Sequence, residues 1–418
     1  MVSRRSKEGG AKKRPTRYDD GPTSPALADA LRHHRKGHFG EAIVGYRAVL
    51  ADSPSNLDAL VNLGAACVSL GRAQEAEAAY REVVVRARDA RAARDAGIGL
   101  ASIGRFDLAR TALQASVASD PSLTGAFLFL SRCCAALGDR VGSIEAAHAA
   151  VRAAPCDASA HHELHRALFD DRDPGASIPA AERAVELDPD WSFARIALAG
   201  ALALDGRDDA SRSALVGIDE RSAGAADALA YMLSRRAPST RFFANARDTL
   251  LHALDQARTP GVVLELGVRH GISTRILAEH ARGVVRGFDS FVGLPEAWHG
   301  LPAGAFSTSG ELPELPANVE LHVGWFDDTL PAYCAAFDEP LRLVHIDSDL
   351  YTSAKIALDQ LGPRITSGTI VVFDEYTTNA AWRQDEFRAF REACETFGWS
   401  YEYVSCSWFT GQAVVRIA

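Results

Sequence analysis

The chain reads as two folds in series: an all-α solenoid of repeated helix pairs, then an α/β domain with a mainly parallel, seven-stranded sheet. Three observations carry this. A phrase recurs every 33 or 34 residues through the first half. Beyond about residue 258, strand-like apolar runs alternate with helical ones, the pattern of βαβ units. Finally, LELGVRHG (264–271), GFDSF (287–291), HIDSDLY (345–351) and VVFDEY (371–376) each place acids or glycines where a strand would run into a loop. Ligands of open parallel sheets bind at those carboxyl ends.

Composition sets the outer bounds. A length of 418 residues accommodates two or three domains. No apolar run approaches the ~20 residues that span a bilayer, and the N-terminus has no apolar signal core, so the expectation is a cytoplasmic protein without a membrane role. Cys67, Cys133, Cys134, Cys156, Cys334, Cys394 and Cys406 show no CxxC spacing and read as reduced, buried small hydrophobes. Net charge is −9. Residues 1–20 hold seven basic side chains against three acidic ones, a local +4 that leaves about −13 for the rest. No nucleic-acid partner is expected for the body. Residues 1–23 read as a disordered basic tail.

The repeats occupy residues 24–221. Gly37, Gly71, Gly104 and Gly138 open the phrases GHFGEAIVGY, GRAQEAEAAY, GRFDLARTAL and GDRVGSIEAA. Further phrases begin near Arg172 and at Gly206, and Pro54, Pro121, Pro155 and Pro189 keep the period, with Arg88 where one is missing. Glycine relieves a turn, alanine (Ala42, Ala76, Ala109) lets helices approach, and proline ends a helix because it cannot donate a backbone hydrogen bond. One helix pair cannot bury its apolar face, whereas stacked pairs can. This pattern resembles the tetratricopeptide repeat. It implies a groove for a protein partner, with a spacer or homo-oligomer surface as the plainer use. His161, His162 and His165 read as a surface cluster without the flanking acids or cysteines of a metal site.

A helical linker is expected at 222–239, and RFFANARDTLLHALDQA continues at helical spacing. The α/β domain then runs over 240–418. Gly267 and Gly271 of LELGVRHG would line a strand-to-helix turn that a ligand can approach closely. Ser273 and Thr274 open a helix whose first N–H groups have no intrahelical partner. Glu265 precedes the last apolar residue of the strand. Asp289, 24 residues on, could accept both hydroxyls of a nucleoside ribose, with Ser290 beside it. Gly324, Trp325 and Phe326 end a further strand where an adenine ring would be sandwiched, and Asp327 or Asp328 could accept its amino group. The GxGxxG spacing that seats a dinucleotide is missing, which weighs against a nicotinamide enzyme.

GFDSFVGLPEAW, GWFDDTLP, HIDSDLYTSAK and VVFDEY together resemble the macrocin O-methyltransferase family of class I enzymes, whose domain is Rossmann-like. The resemblance covers residues 240–418 and implies S-adenosyl-L-methionine as cofactor, a sugar or glycoside hydroxyl as acceptor, and Mg²⁺. Carried over, the metal ligands are Asp347, Asp374 and Glu375, with Asp347 also the base. The family usually has Asp-Asp at Asp374-Glu375 and DGD at Asp347-Ser348-Asp349. The chemistry agrees, because Mg²⁺ takes hard oxygen ligands and leaves positions for water or substrate. The long segment 295–316 reads as a lid, with Glu296, Trp298 and His299 as contacts. Trp382 and Arg383 read as lining for the acceptor, and His345 as core. The competing reading is a repeat-based scaffold whose second domain binds cofactor without turnover.

Overall fold

The computed structural model describes residues 15–18, 23–86, 89–377 and 380–418. Residues 1–14 and 19–22 of the basic tail, and Arg88, lie beyond the described residues. Contacts divide the chain into two compact units, residues 1–155 with 291–312 and residues 156–290 with 313–418.

The first unit contains the helices α1 Pro25–Lys36, α2 Phe39–Asp52, α3 Leu57–Ser69, α4 Ala73–Arg86, α5 Ala90–Ser102, α6 Phe106–Ser119, α7 Thr124–Ala136 and α8 Arg140–Ala153. The recurring glycines sit at the turns inside successive pairs, all left-handed, with φ of 78, 74, 76 and 79° at Gly37, Gly71, Gly104 and Gly138. Helix starts are fixed by side chains that accept an otherwise unpaired N–H: Asn56 from Ala59 and Asp89 from Ala92, both at 2.8 Å. Ala42, Ala76 and Ala109 are fully buried, so the small residues do lie at the crossings. At the matching place in the fourth phrase stands Ser143, whose buried hydroxyl meets that of Ser131 at 3.1 Å.

The segment 291–312 belongs to this unit. It is folded on itself, with Trp298 and Leu301 exchanging backbone bonds of 2.9 and 2.7 Å. It also meets the α3–α4 turn: Ser309 Oγ donates to the Leu70 carbonyl at 2.5 Å, and Glu311 accepts the Gln74 N–H at 3.2 Å. A Cβ on Gly71 would stand 1.9 Å from the Ser307 carbonyl oxygen. Only glycine permits that approach.

The second unit opens with α9 Ala158–Leu168, α10 Ile178–Leu187, α11 Ser192–Leu204, α12 Asp208–Ala214 and α13 Ala223–Arg235. There follow β1 Arg241–Phe242, α14 Ala246–Gln256, β2 Val262–Leu266, α15 Ile272–His280, β3 Val285–Asp289, β4 Val319–Val323, α16 Phe326–Ala336, β5 Leu341–Ile346, α17 Tyr351–Leu361, β6 Ile370–Phe373, α18 Glu386–Phe397, β7 Tyr401–Cys406 and β8 Ala413–Ile417. The sheet order is β1-β7-β8-β6-β5-β2-β3-β4. Only β8 runs antiparallel to its neighbours, β6 and β7.

The sheet therefore has eight strands where seven were expected. The extra one is β1, read from sequence as part of a helix. Its two residues carry no period of their own; they are extended because they pair with Ser405 and Cys406. The helix starts later, at Asn245, whose side chain caps the Asp248 N–H at 2.9 Å.

A second correction concerns the histidines. His162 and His165 are buried, not on the surface. Their rings lie 6.3 and 5.5 Å from that of Phe409, and His162 also packs on Trp191 and Phe193. Burial lowers the His165 pKa to about 4. Phe169, Phe242, Phe409 and the strand residues Leu264, Val344 and Val415 share one apolar core, so α9–α13 and the sheet are built around common side chains. All seven cysteines are free thiols. No helix among the described residues is long and apolar enough to cross a membrane.

Candidate active site

Parallel register brings the strand-end strings together. Glu265 pairs with His345, Leu266 with Ile346, and Ile346 with Phe373. The next residues, Gly267, Asp347 and Asp374, therefore emerge side by side at the carboxyl ends of β2, β5 and β6. Backbone bonds hold them there: Asp347 N–H to the Leu266 carbonyl at 2.8 Å, Asp374 N–H to Ile346 at 3.0 Å, and Gly267 N–H to Phe288 at 2.9 Å. Gly267 has φ 102°, and a Cβ on it would lie 1.9 Å from the Asp347 carbonyl oxygen. Any other residue would push β2 and β5 apart where they converge. Arg269 and Asp349 also adopt positive φ (50 and 61°) beside these strand ends, the kind of backbone strain that gathers at functional sites.

On the β2–β3 side, Asp289 Oδ2 accepts the backbone N–H groups of Val268 and Arg269 at 2.8 and 2.7 Å. Asp289 thus fixes the glycine turn. Gly271 caps α15 with φ 69°, ahead of half-buried Ser273 and buried Thr274. Ser290 is half-buried. Gly324 follows β4, its N–H bonded to the Asp289 carbonyl at 3.0 Å. Trp325 is exposed, whereas Phe326 packs partly against the core. Asp327 and Asp328 are exposed in the first turn of α16.

On the β5–β6 side, one ligand atom each from His345, Asp347 and Asp374 lies within 4.8 Å of the others. Two ligands on one divalent ion lie within about 4 Å of each other, given bonds of about 2 Å, so this set fits an ion after small rotations. His345 Nδ1 meets Glu265 Oε1 at 3.0 Å, with both side chains fully buried. Burial alone would disfavour the imidazolium, but the Glu265 bond and the fields of Asp347 and Asp374 outweigh it and raise the His345 pKa. A carboxylate behind an imidazole is also the arrangement that orients histidine toward a metal. Asp374 Oδ1 accepts from Gln412 Nε2 at 2.7 Å.

Glu375 is not drawn into this group. Its side chain is buried, and its N–H is bonded to Glu386 at 3.0 Å. Trp382 is buried, and its indole donates to Asp227 of α13 at 3.1 Å; Arg383 pairs with the same carboxylate. Both are thereby tied to α13. In the 291–312 segment Glu296 and His299 are exposed and Trp298 is half-buried. Sequence reasoning missed Gln412, for which no local signal exists. It assigned His345 to the core, where the ring does lie, without its position between Glu265 and the two aspartates.

Residues 264–376 match the family profile described as a methyltransferase domain. Residues 33–96 and 94–158 match two tetratricopeptide-repeat profiles. The chain therefore joins tetratricopeptide repeats to a C-terminal methyltransferase domain.

Among curated proteins, it is 32% identical over 148 residues to 8-demethyl-8-(2,3-dimethoxy-alpha-L-rhamnosyl)-tetracenomycin-C 4'-O-methyltransferase of Streptomyces olivaceus. That match takes in 29% of this chain and spans about half, 55%, of the relative's length. Among solved structures, calicheamicin methyltransferase CalS11 aligns with a TM-score of 0.33 and 24% identity, over 41% of this chain and 77% of its own. The MamA protein aligns with a TM-score of 0.35 and 23% identity, over 39% and 90%.

Proposed function

We propose that residues 240–418 form an S-adenosylmethionine-dependent O-methyltransferase acting on a hydroxyl of a sugar or glycoside-like acceptor, with Mg²⁺ assistance. Residues 24–221 then supply the repeat surface for a protein partner. The observation that carries the reading is the convergence of Gly267, Asp347 and Asp374 at adjacent strand ends, beside Asp289. The rhamnosyl substrate in the curated relative's name supports the acceptor class.

The cofactor supplies an electrophilic methyl group, and a divalent cation lowers the pKa of a hydroxyl beside it. The chain's own residues do the rest. Gly267 and Gly271 let the backbone approach the nucleoside, and the first turn of α15 presents N–H groups. Asp289 and Ser290 take the ribose, while Trp325 offers an exposed face for the adenine. Asp347 accepts the acceptor's proton and holds the cation with Asp374. The Glu386 carboxylate positions the β6 end by accepting the Glu375 N–H, and Glu375 is left out of the ligand set. His345 contributes a nitrogen donor oriented by Glu265. Nitrogen suits softer ions than Mg²⁺, so Zn²⁺ is its natural competitor.

Calorimetric titration of the full chain with S-adenosylmethionine, with and without Mg²⁺, tests the cofactor. Absence of binding overturns the reading. Asp347→Ala should retain cofactor binding yet lose methyl transfer to rhamnosides by about 10²-fold or more, the usual weight of a positioned base. Methylation unaffected by a chelator would remove the cation from the proposal.

A further inference from the structure

The segment Pro15–Tyr18 lies against the first helices of the second and third repeats, and the contacts have the form of peptide recognition. The Asn62 carboxamide on α3 reads one residue in both directions: Oδ1 accepts the Thr16 N–H at 3.0 Å and Nδ2 donates to the Thr16 carbonyl at 2.8 Å. One turn earlier on the same helix, Asp58 Oδ1 accepts the Tyr18 N–H at 2.5 Å, and its other oxygen lies 3.7 Å from the Arg17 guanidinium. The Tyr18 ring is 8% exposed within the repeat core. Its hydroxyl donates to Asp95 on α5 at 2.6 Å.

Three features mark this as a binding surface and not incidental packing. Asn62 and Asp95 are 33 residues apart, so consecutive repeats offer polar groups from the same position. The backbone groups held belong to Thr16 and Tyr18, alternate residues whose groups face one way in an extended chain. Main-chain bonds of this kind give affinity, while a side-chain socket gives selectivity. Asp58 matches the basic residue, and Asp95, itself paired with Arg94, takes the hydroxyl of the aromatic one.

We propose that this face of the repeats is a peptide site occupied in cis by the chain's own Pro15–Tyr18 segment, and that a protein partner enters by presenting an extended Arg-Tyr segment that displaces it. The proposal deepens the reading of the repeats as a partner-binding array and is independent of the methyl-transfer chemistry.

The test uses a fluorescein-labelled peptide of residues 13–20, KRPTRYDD, followed by anisotropy with three chains: the full chain, the chain lacking residues 1–20, and full-length Tyr18→Ala. A tethered segment acts at an effective concentration of about 1 mM. Against a free peptide with a Kd of about 0.1 mM, it should weaken probe binding about tenfold. Both altered chains should therefore bind the probe about tenfold more tightly than the full chain. Asn62→Ala in the shortened chain, or Tyr18→Ala in the probe, should abolish the gain. Equal binding to all three chains overturns cis occupancy. Binding to none, or equal binding of the Tyr18→Ala probe, overturns the peptide site itself. The Tyr18→Ala chain keeps the test decisive if the shortened chain fails to fold.

Discussion

The helices before residue 155 and those after it fill their cores differently. In α1–α8 the crossings are lined by alanine, and the core is closed within the repeats; Tyr46 and Tyr80, one period apart, are its largest fully buried members. In α9–α13 the crossings carry aromatic rings. His162, His165 and Phe169 pack with Phe409, Phe193 packs on His162, and Trp408 lies against Gly200, where a Cβ would come within 2.7 Å of the indole. The difference shows what a repeat pattern encodes. Small residues at fixed spacing specify contact between neighbouring helices. Where the spacing degrades and large side chains appear, the helices are shaped to a different neighbour, here the sheet.

The largest expected effect separates these halves. A fragment of residues 240–418 exposes the faces of Phe242, Trp382 and Phe409 that α9–α13 cover, and should be insoluble or lack near-ultraviolet circular dichroism. A fragment of residues 156–418 should show native-like tertiary signals. A well-folded 240–418 fragment would break the comparison.

Point substitutions sharpen it. Trp408→Ala and Tyr80→Ala each remove a large, well-packed aromatic side chain, at a cost of about 3–5 kcal/mol. In differential scanning calorimetry of the full chain, Trp408→Ala should lower the transition of the unit containing the sheet, and Tyr80→Ala that of the first repeats. A common shift of both transitions would show that the two cores unfold as one.

Much of this architecture is legible in sequence because it is local. The turn glycines at 37, 71, 104 and 138 and the strand runs from Val262 onward each announce themselves within a few residues. Strand-end acids such as Asp289, Asp347 and Asp374 are legible for a related reason: parallel strands of similar length align their ends. What escapes is set by long-range partners. β1 exists because Ser405 and Cys406 lie beside it, each 164 residues from its partner in sequence. His345 acquires its place from Glu265, and Gln412 reaches Asp374 from a loop of no particular pattern. The burial of His162 and His165 was hidden likewise, since polar residues at helical spacing read as surface until Phe409 is known to cover them.

The smallest expected effect is the contribution of His165 to the pH dependence of the second unit. His165 is fully buried, and burial depresses its pKa from 6.5 to about 4. Above pH 6.5 neither folded nor unfolded chain carries the proton, and stability is complete. Between 6.5 and 4 the unfolded chain takes up a proton that the folded chain refuses, so stability falls as pH falls. From pH 7 to 5.5 the share of the loss due to His165 should be about 1 kcal/mol, while His345, with its raised pKa, acts in the opposite direction. Urea unfolding followed by tryptophan fluorescence reports mainly on the second unit, because five of the six tryptophans, all but Trp298, belong to it. His165→Gln should lower the midpoint at both pH values and flatten the difference between them. A difference of unchanged size in the variant would assign the pH dependence to other groups and remove His165 from the account.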